Sequence, residues 1–161
     1  MKYIIKSFFV SLLLAVSINA SALTDPQEME FTGAVNVGDM KTVKMYVETM
    51  NVDLEHGYFA WTPFLMAAAK RQLDVLKYLK EKGANINYTH PVTRFNALHH
   101  AAFNRDKAMV KYLIDIGIEQ NNLKGDVTLI RALSEDGKED MAKYLTSLGV
   151  KDEGCKEKRC F

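Results

Sequence analysis

Residues 62–87, TPFLMAAAKRQLDVLKYLKEKGANIN, decide the fold, because a second stretch of equal length aligns with them without a gap. That stretch, NALHHAAFNRDKAMVKYLIDIGIEQN at residues 96–121, begins 34 residues further on. The positions that are identical in both stretches include an alanine pair and a Lys-Tyr-Leu run, and in the first stretch they are Ala67, Ala68, Lys77, Tyr78, Leu79, Gly83 and Asn87. Self-similarity at a fixed period of this size predicts a solenoid in which each repeat is one supersecondary unit.

Two more divergent copies flank this pair. VTLIRALSEDGKEDMAKYLTSLGV, at residues 127–150, follows the pattern if one residue is inserted after Leu133. MEFTGAVNVGDMKTVKMYVETMNVDLE, at residues 29–55, matches the stretch at 62–87 with an offset of 33. We therefore predict four repeats, at about residues 29–61, 62–95, 96–126 and 127–150.

Each repeat is predicted to contain two short helices. Pro63 suits the first turn of a helix, where its missing N–H has no intrahelical partner, and Thr62 can cap that turn. The second helix carries leucines at helical spacing and ends at Gly83, a residue suited to the left-handed conformation after a helix. Asn51 is the expected equivalent of Gly83 in the first repeat.

The unit resembles the ankyrin repeat. That family starts its first helix with a T-P-L-H-x-A-A pattern and follows its second with a G-A-D-x-N loop. TPFLMAA with GANIN, NALHHAA with GIEQN, and VTLIRAL with GVKDE follow both patterns. The glycine that the family often carries two residues before the threonine is replaced by Ala60 and Arg94. The resemblance covers about residues 27–150 and implies an all-α solenoid of helix-turn-helix units joined by projecting, hairpin-like loops.

The resemblance also implies a binding surface, because ankyrin proteins contact partners through these turns and the exposed side of the first helix. Carried over position by position, the predicted protein-binding residues are Tyr58, Phe59, Trp61, Lys70, Arg71, Phe95, Phe103, Asn104 and Arg105. Large aromatic residues and arginine are the types that anchor interfaces. The aromatic side chains could instead fold over the solenoid and cover its core, and the sequence leaves both roles open.

Four histidines raise the question of a metal or catalytic site: His56, His90, His99 and His100. His99 occupies the histidine of the family pattern, where the resemblance implies a structural hydrogen bond that ties adjacent loops. No cysteine or carboxylate lies beside the histidines at ligand spacing, and adjacent residues on a helix point about 100° apart. The sequence also lacks G-x-S-x-G, a Gly-rich phosphate loop and H-E-x-x-H. We expect no enzyme activity, no metal and no other cofactor.

The composition is that of one soluble globular domain, since 48% of the 161 residues are hydrophobic and 25% are charged. The 21 basic and 20 acidic residues nearly balance, and no stripe of lysine and arginine interleaves with aromatics. Nucleic acid is therefore not an expected partner. A four-repeat surface can offer about the 800 Å² that each partner contributes to a standard interface, so we expect a monomer that binds one protein.

The two ends of the chain carry predictions about export. Residues 1–22, MKYIIKSFFVSLLLAVSINASA, combine two lysines, a short apolar run and an A-x-A ending at Ala22, as in a cleaved secretory signal peptide. The run is shorter than the roughly 20 residues that span a bilayer, so no membrane span is expected after cleavage. The mature domain is then residues 23–154. In an oxidising compartment Cys155 and Cys160 are expected to form a disulfide, within or between chains, in the tail at 155–161.

Together these features predict a periplasmic or secreted adaptor or inhibitor that binds a protein partner. The resemblance to small exported ankyrin proteins of bacteria implies two settings, immunity to an envelope-acting toxin and support of oxidative-stress defence. A host-directed secreted effector is a third hypothesis. The sequence does not choose among the three.

Overall fold

The computed structural model describes residues 23–120 and 127–152. Within these ranges the chain forms helices and no strand, which confirms the predicted all-α solenoid. The helices are α1 (Asp25–Val37), α2 (Met40–Thr49), α3 (Pro63–Ala69), α4 (Leu73–Glu81), α5 (Ala97–Phe103), α6 (Lys107–Asp115), α7 (Leu129–Glu135) and α8 (Glu139–Ser147). The predicted signal peptide and the predicted Cys155–Cys160 disulfide lie outside the described residues.

The predicted helix boundaries in the second repeat are confirmed. Pro63 is the first residue of α3, and the Thr62 hydroxyl accepts a hydrogen bond from the Leu65 N–H at 3.3 Å. After α4, Gly83 has a φ of 95°. Asn51 follows α2 with a φ of 50°, so it takes the same left-handed conformation in the first repeat. Local chemistry at the caps therefore accounts for the start of α3 and for the ends of α2 and α4.

The insertion predicted in the fourth repeat is wrong. The Thr128 hydroxyl accepts a hydrogen bond from the Arg131 N–H at 3.2 Å, which is the cap that Thr62 makes to the helix of the second repeat. Gly149 then ends α8 with a φ of 86°, as Gly83 ends α4. Both equivalences hold at one constant offset, so the fourth repeat aligns from Thr128 rather than Val127 and needs no inserted residue.

The helices form two rows, and the row of first helices carries the surface of interest. The first helices α1, α3, α5 and α7 pack against one another in chain order, and each second helix packs against the first helix of its own repeat. The paired alanines at 67–68 and 101–102 are fully buried, which lets α3 and α5 approach closely. We call the exposed side of the first helices, together with the turns that precede them, the inner face.

Hydrogen bonds between loops hold successive repeats in register. The Glu55 carboxylate accepts from the Asn85 N–H at 2.8 Å, and the Asn87 side-chain oxygen accepts from the Glu119 N–H at 2.9 Å. The Tyr88 hydroxyl donates to the Ala60 carbonyl at 2.8 Å. The bond from Tyr88 holds the turn around Ala60, which belongs to the inner face.

Candidate protein-binding surface

Residues 58–61 form a tight two-residue hairpin turn, which we call the hairpin turn. Tyr58 and Trp61 exchange both backbone hydrogen bonds, at 3.1 and 3.0 Å. Phe59 and Ala60 between them have φ values of 51° and 67°, the two positive angles of a type I′ turn. This conformation usually takes Asn-Gly, because a left-handed backbone costs residues with a Cβ roughly 1–2 kcal/mol. The turn therefore holds two strained residues, one of which is a large aromatic.

Tyr58 and Phe59 point in opposite directions from this turn. Tyr58 is only 5% exposed, and its ring lies 5.9 Å from that of Phe31 in the core. Burial, with the nearby charges of Glu28 and Asp53, raises the pKa of Tyr58 to about 12. Phe59 is 97% exposed. The two roles that the sequence left open thus occur in neighbouring residues: Tyr58 covers the core, while Phe59 is presented to solvent.

A cavity of about 340 Å³ opens between α1, α3 and the hairpin turn. We call it the open pocket, and its lining residues are Thr32, Asn36, Tyr58, Phe59, Trp61, Met66, Ala69 and Lys70. Its volume falls in the range of about 300–1,000 Å³ typical of binding sites. The structure thus brings four predicted contact residues together, in the hairpin turn and at Lys70. The other four lining residues were not predicted, and Ala69 offers the one sequence signal, because it aligns with Phe103.

At the start of the third repeat, aromatic rings occupy the equivalent place. There Phe95 and Phe103 stack with ring centroids 5.2 Å apart and an interplanar angle of 19°. Phe95 also stacks on His99 at 5.2 Å and meets His100 edge-on at 5.6 Å. We call these four residues the filled site. Phe95 and Phe103 are only partly exposed, because the two rings pack against each other and Phe95 also packs against the histidines.

Trp61 connects the open pocket to the filled site. Its ring lies 5.0 Å from that of His100 and 5.2 Å from that of His90. Trp61 is therefore partly buried and contributes both to packing and to the exposed surface. Replacing Trp61 would change the packing and the exposed surface together, so a substitution at Phe59 tests binding more directly.

The histidines of the filled site differ from the prediction. The Nδ1 of fully buried His99 lies 2.6 Å from the Asn96 side-chain oxygen, so its hydrogen bond stays within its own repeat. The predicted bond from His99 to an adjacent loop is wrong, since its Nε2 has no partner among the residues described. The buried Nε2 of His100 also lacks one there. Burial, and secondarily a neighbouring imidazole, lowers the pKa of each of the two to about 4, so both are neutral at pH 7.

The four histidines do not form a metal centre. Across residues 23–120 and 127–152, no group of three or more histidine, cysteine, aspartate or glutamate side chains is arranged to hold a metal ion. His56 instead lies 3.7 Å from the Glu28 carboxylate, and His90 accepts backbone N–H groups of its own turn through Nδ1. Their contacts in this structure are therefore with neighbouring protein groups.

Three predicted polar contact residues already have partners within the solenoid. The Arg71 guanidinium lies 3.6 Å from the Asp106 carboxylate. Arg105 lies 3.5 Å from the Asp140 carboxylate, and the Asn104 amide donates to the Ala69 carbonyl at 3.0 Å. Both arginine side chains are more than half exposed, so each ion pair contributes about 0–1 kcal/mol. Such weak pairs leave the arginines able to bind a carboxylate of a partner.

The fold and this surface define an α-solenoid interaction module. The family model described as Ankyrin repeats (3 copies) matches residues 31–124 and 83–154. The chain therefore belongs to the ankyrin repeat family, whose members are typically non-catalytic modules for protein–protein interaction. Among the described residues, no helix combines the length and the apolar character needed to cross a membrane.

Two curated proteins illustrate how similar repeats occur elsewhere. The chain is 33% identical over 88 residues to Ankyrin repeat and SAM domain-containing protein 6 of Rattus norvegicus, covering 53% of this chain and 10% of that protein. It is 32% identical over 87 residues to Alpha-latrotoxin-Lg1a of Latrodectus geometricus, covering 52% of this chain and 6% of that protein. The chain thus spans a tenth or less of the length of these relatives, and the similarity concerns the repeats.

Proposed function

We propose that this chain is an exported, non-catalytic adaptor or inhibitor that binds one protein through the inner face around the hairpin turn. The observation that carries the proposal is Phe59, a phenylalanine that is 97% exposed in a turn with positive φ. Strained residues of this kind cluster at functional sites, because folding alone gives no reason to keep them. A ring exposed so fully gains free energy when a partner removes it from water.

The surroundings of Phe59 have the anatomy of a protein interface. Trp61 and the open pocket supply an apolar centre, and Lys70, Arg71 and Arg105 supply a polar, basic edge. Apolar centres with polar rims, anchored by aromatics and arginine, are typical of protein–protein contacts. A protein partner therefore fits this surface better than nucleic acid does, because the 21 basic and 20 acidic residues of the chain nearly balance.

The setting that we propose is the periplasm, with immunity to an envelope-acting toxin as the leading role. Secretion is the alternative location, and oxidative-stress support and a host-directed effector are the alternative roles. An immunity protein forms a tight one-to-one complex with a toxin encoded beside it. A stress factor has no such neighbour, and its deletion causes sensitivity to peroxide. A host-directed effector accumulates in the culture medium.

The proposal is tested by capture of the partner from the envelope fraction of the source cells. The tagged mature chain is compared with Phe59→Ala and with Val92→Ala, which changes an apolar residue of the next turn that is 81% exposed. We expect one protein to be enriched by the parent and by Val92→Ala, and to be at least tenfold depleted with Phe59→Ala. The captured protein is then purified, and its binding is measured directly by calorimetry.

Two results would overturn the proposal. In the first, the folded parent enriches no protein above an untagged control. In the second, Phe59→Ala retains the same protein as strongly as Val92→Ala, which would place the contact elsewhere. Circular dichroism of all three chains excludes misfolding as the cause of any loss.

A further inference from the structure

The open pocket exists because one residue of the second repeat is small. Ala69 ends α3 at the position where Phe103 ends α5. The same alignment pairs Trp61 with Phe95. In the third repeat Phe103 stacks on Phe95 and occupies the space. In the second repeat the space beside Trp61 is a cavity of about 340 Å³.

We propose that the open pocket takes an aromatic side chain of the partner protein, next to a carboxylate that pairs with Lys70. This inference rests on the proposed protein-binding function and names the chemistry of the partner at that site. The third repeat shows which group fits this space, because Phe103 carries the phenyl ring that Ala69 lacks. In the second repeat the partner protein provides the equivalent aromatic ring.

The walls of the pocket favour an aromatic ring over other apolar groups. Trp61 and Phe59 line the pocket with aromatic rings, and aromatic pairs gain from stacked or edge-to-face contact beyond the area that they bury. Met66 lies among the lining residues, and its thioether makes favourable contacts with ring edges. An aliphatic side chain would use neither kind of contact fully.

The charge at the pocket favours an acidic neighbour for that ring. Lys70 is the charged residue that lines the pocket, whose other lining residues are apolar or neutral. Within the described part of the chain, no carboxylate lies within ion-pair distance of the Lys70 ammonium. A partner that covers this ammonium removes it from water, which is unfavourable unless an opposite charge replaces the water. A carboxylate beside the bound ring meets that requirement.

Phe59 indicates that the occupant belongs to a protein rather than being a free small molecule. The Phe59 ring lines the pocket but is 97% exposed, so it projects beyond the pocket into solvent. A small ligand held inside the pocket would leave most of that ring in water. A protein that inserts one side chain into the pocket covers Phe59 with its own surface as well.

The test begins with selection of binders from a display library of random 12-residue peptides on the tagged chain. We expect the selected peptides to share a phenylalanine, tyrosine or tryptophan within two residues of an aspartate or glutamate. The best peptide is then synthesised with its aromatic residue as Ala and, separately, with its acidic residue as the amide. We expect each change to weaken binding at least fivefold by fluorescence anisotropy.

Three variants of the chain locate the binding. Ala69→Phe introduces the phenylalanine that the third repeat has at this position. We expect it to weaken peptide binding at least tenfold, while the variant still unfolds cooperatively. Lys70→Met keeps the stem and removes the charge, so it is expected to weaken the acidic peptide but not its amide form. Val92→Ala, which changes an exposed apolar residue outside the pocket lining, is the control and is expected to leave the affinity within twofold of the parent.

The outcomes separate this inference from the proposed function. Peptides without an aromatic–acidic consensus, or a selected peptide that binds Ala69→Phe as well as it binds the parent, would overturn the pocket assignment. If the native partner is lost with Phe59→Ala but binds Ala69→Phe fully, the protein-binding function stands and the pocket assignment is wrong. Loss of the native partner with both variants, each still folded, supports the two together.

Discussion

The second and third repeats begin their first helices in the same way but differ in what their inner face contains. Each begins with a first helix of seven residues, and each carries a left-handed residue two positions before the helix cap, Ala60 in one and Arg94 in the other. Yet the open pocket and a projecting phenylalanine lie at the start of the second repeat and in the turn before it, whereas the filled site lies at the start of the third. The helix starts are thus set by caps and left-handed residues that recur, and the surface is set by a few side chains, and by a turn, that do not.

The same comparison explains why the third repeat is the more closed of the two. Phe103 fills the space that Ala69 leaves open, and His100 stands where the second repeat has Met66. The filled site therefore buries imidazole nitrogen atoms, whereas no histidine lines the open pocket. The filled site is better packed, but it buries nitrogen atoms that lack a hydrogen-bond partner, which lowers its stability. The open pocket is less well packed and remains available to a partner.

Lowering the pH should produce the largest effect, and it should act through the filled site. The pKa of His99 and of His100 is about 4 in the folded chain, against 6.5 for a free imidazole. Since the unfolded chain then binds more protons between pH 6.5 and 4, the free energy of unfolding is highest above pH 6.5 and falls as the pH drops through this window. We expect a loss on the order of a few kcal/mol, measured by urea unfolding at a series of pH values.

A single variant isolates the histidine contribution from that of other titrating groups. His100→Met installs the residue of the second repeat and should reduce the slope of stability against pH between 6.5 and 4. The variant leaves every other titratable side chain in place, so the difference between the two curves reports on the replaced imidazole of the filled site. Identical slopes would contradict the assignment of the pH dependence to buried imidazoles.

Opening the filled site should have the next largest effect. Phe103→Ala removes the ring that stacks on Phe95 and that lies 5.3 Å from the Lys138 ammonium. Because Phe103 is only partly buried, we expect the free energy of unfolding to fall by about 2 kcal/mol, less than for a fully buried phenylalanine. Urea unfolding at pH 7 measures it, and a loss below about 0.5 kcal/mol would mean that the site is not packed as described.

Relieving the strain of the turns should have a smaller effect of the opposite sign. Ala60→Gly and Arg94→Gly restore the glycine common in the family at positions with φ values of 67° and 63°. The strain energy that glycine relieves exceeds the free energy lost through the greater entropy of the unfolded chain. Each variant should therefore have a free energy of unfolding about 0.5–1 kcal/mol higher than the parent. Thermal unfolding would show a rise of a few degrees. A lower melting temperature in both variants would contradict the turn geometry.

The smallest effect on stability should come from replacing Phe59, and it can be compared with the effect of replacing Tyr58. Since the ring is 97% exposed, Phe59→Ala should change the free energy of unfolding by less than about 0.5 kcal/mol. Tyr58→Ala, one residue earlier, removes a ring that is 5% exposed and should cost several times more. Equal losses in the two variants would show that Phe59 also belongs to the core.

The solenoid was predictable from the sequence because its signals are local. Thr62 and Pro63 start a helix by capping chemistry, and Gly83 and Asn51 end one through the left-handed conformation that they tolerate. The register of the fourth repeat was missed by one residue. The predicted alignment began at Val127, whereas the side chain that caps the helix is that of Thr128, and the cap determines the helix start.

The candidate site was only partly predictable, for reasons of three-dimensional packing. A Phe-Ala pair is not typical of a type I′ turn, so the opposite directions of Tyr58 and Phe59 could not be predicted from the sequence. The ion pair of Arg71 joins it to a residue of the next repeat, which spacing along one helix does not suggest. Ala69 gives no positive signal by itself, and only its comparison with Phe103 indicates a pocket.

Photo-crosslinking in the source cells tests the central claim, that the region around Phe59 is covered by a partner protein. A photo-reactive phenylalanine analogue replaces Phe59 in one chain and Val92 in the other, both exposed apolar positions of neighbouring turns. The account predicts one discrete protein adduct from position 59 and little or none from position 92. Equal adducts at both positions, or none at position 59 while the chain is folded in the cells, would contradict it.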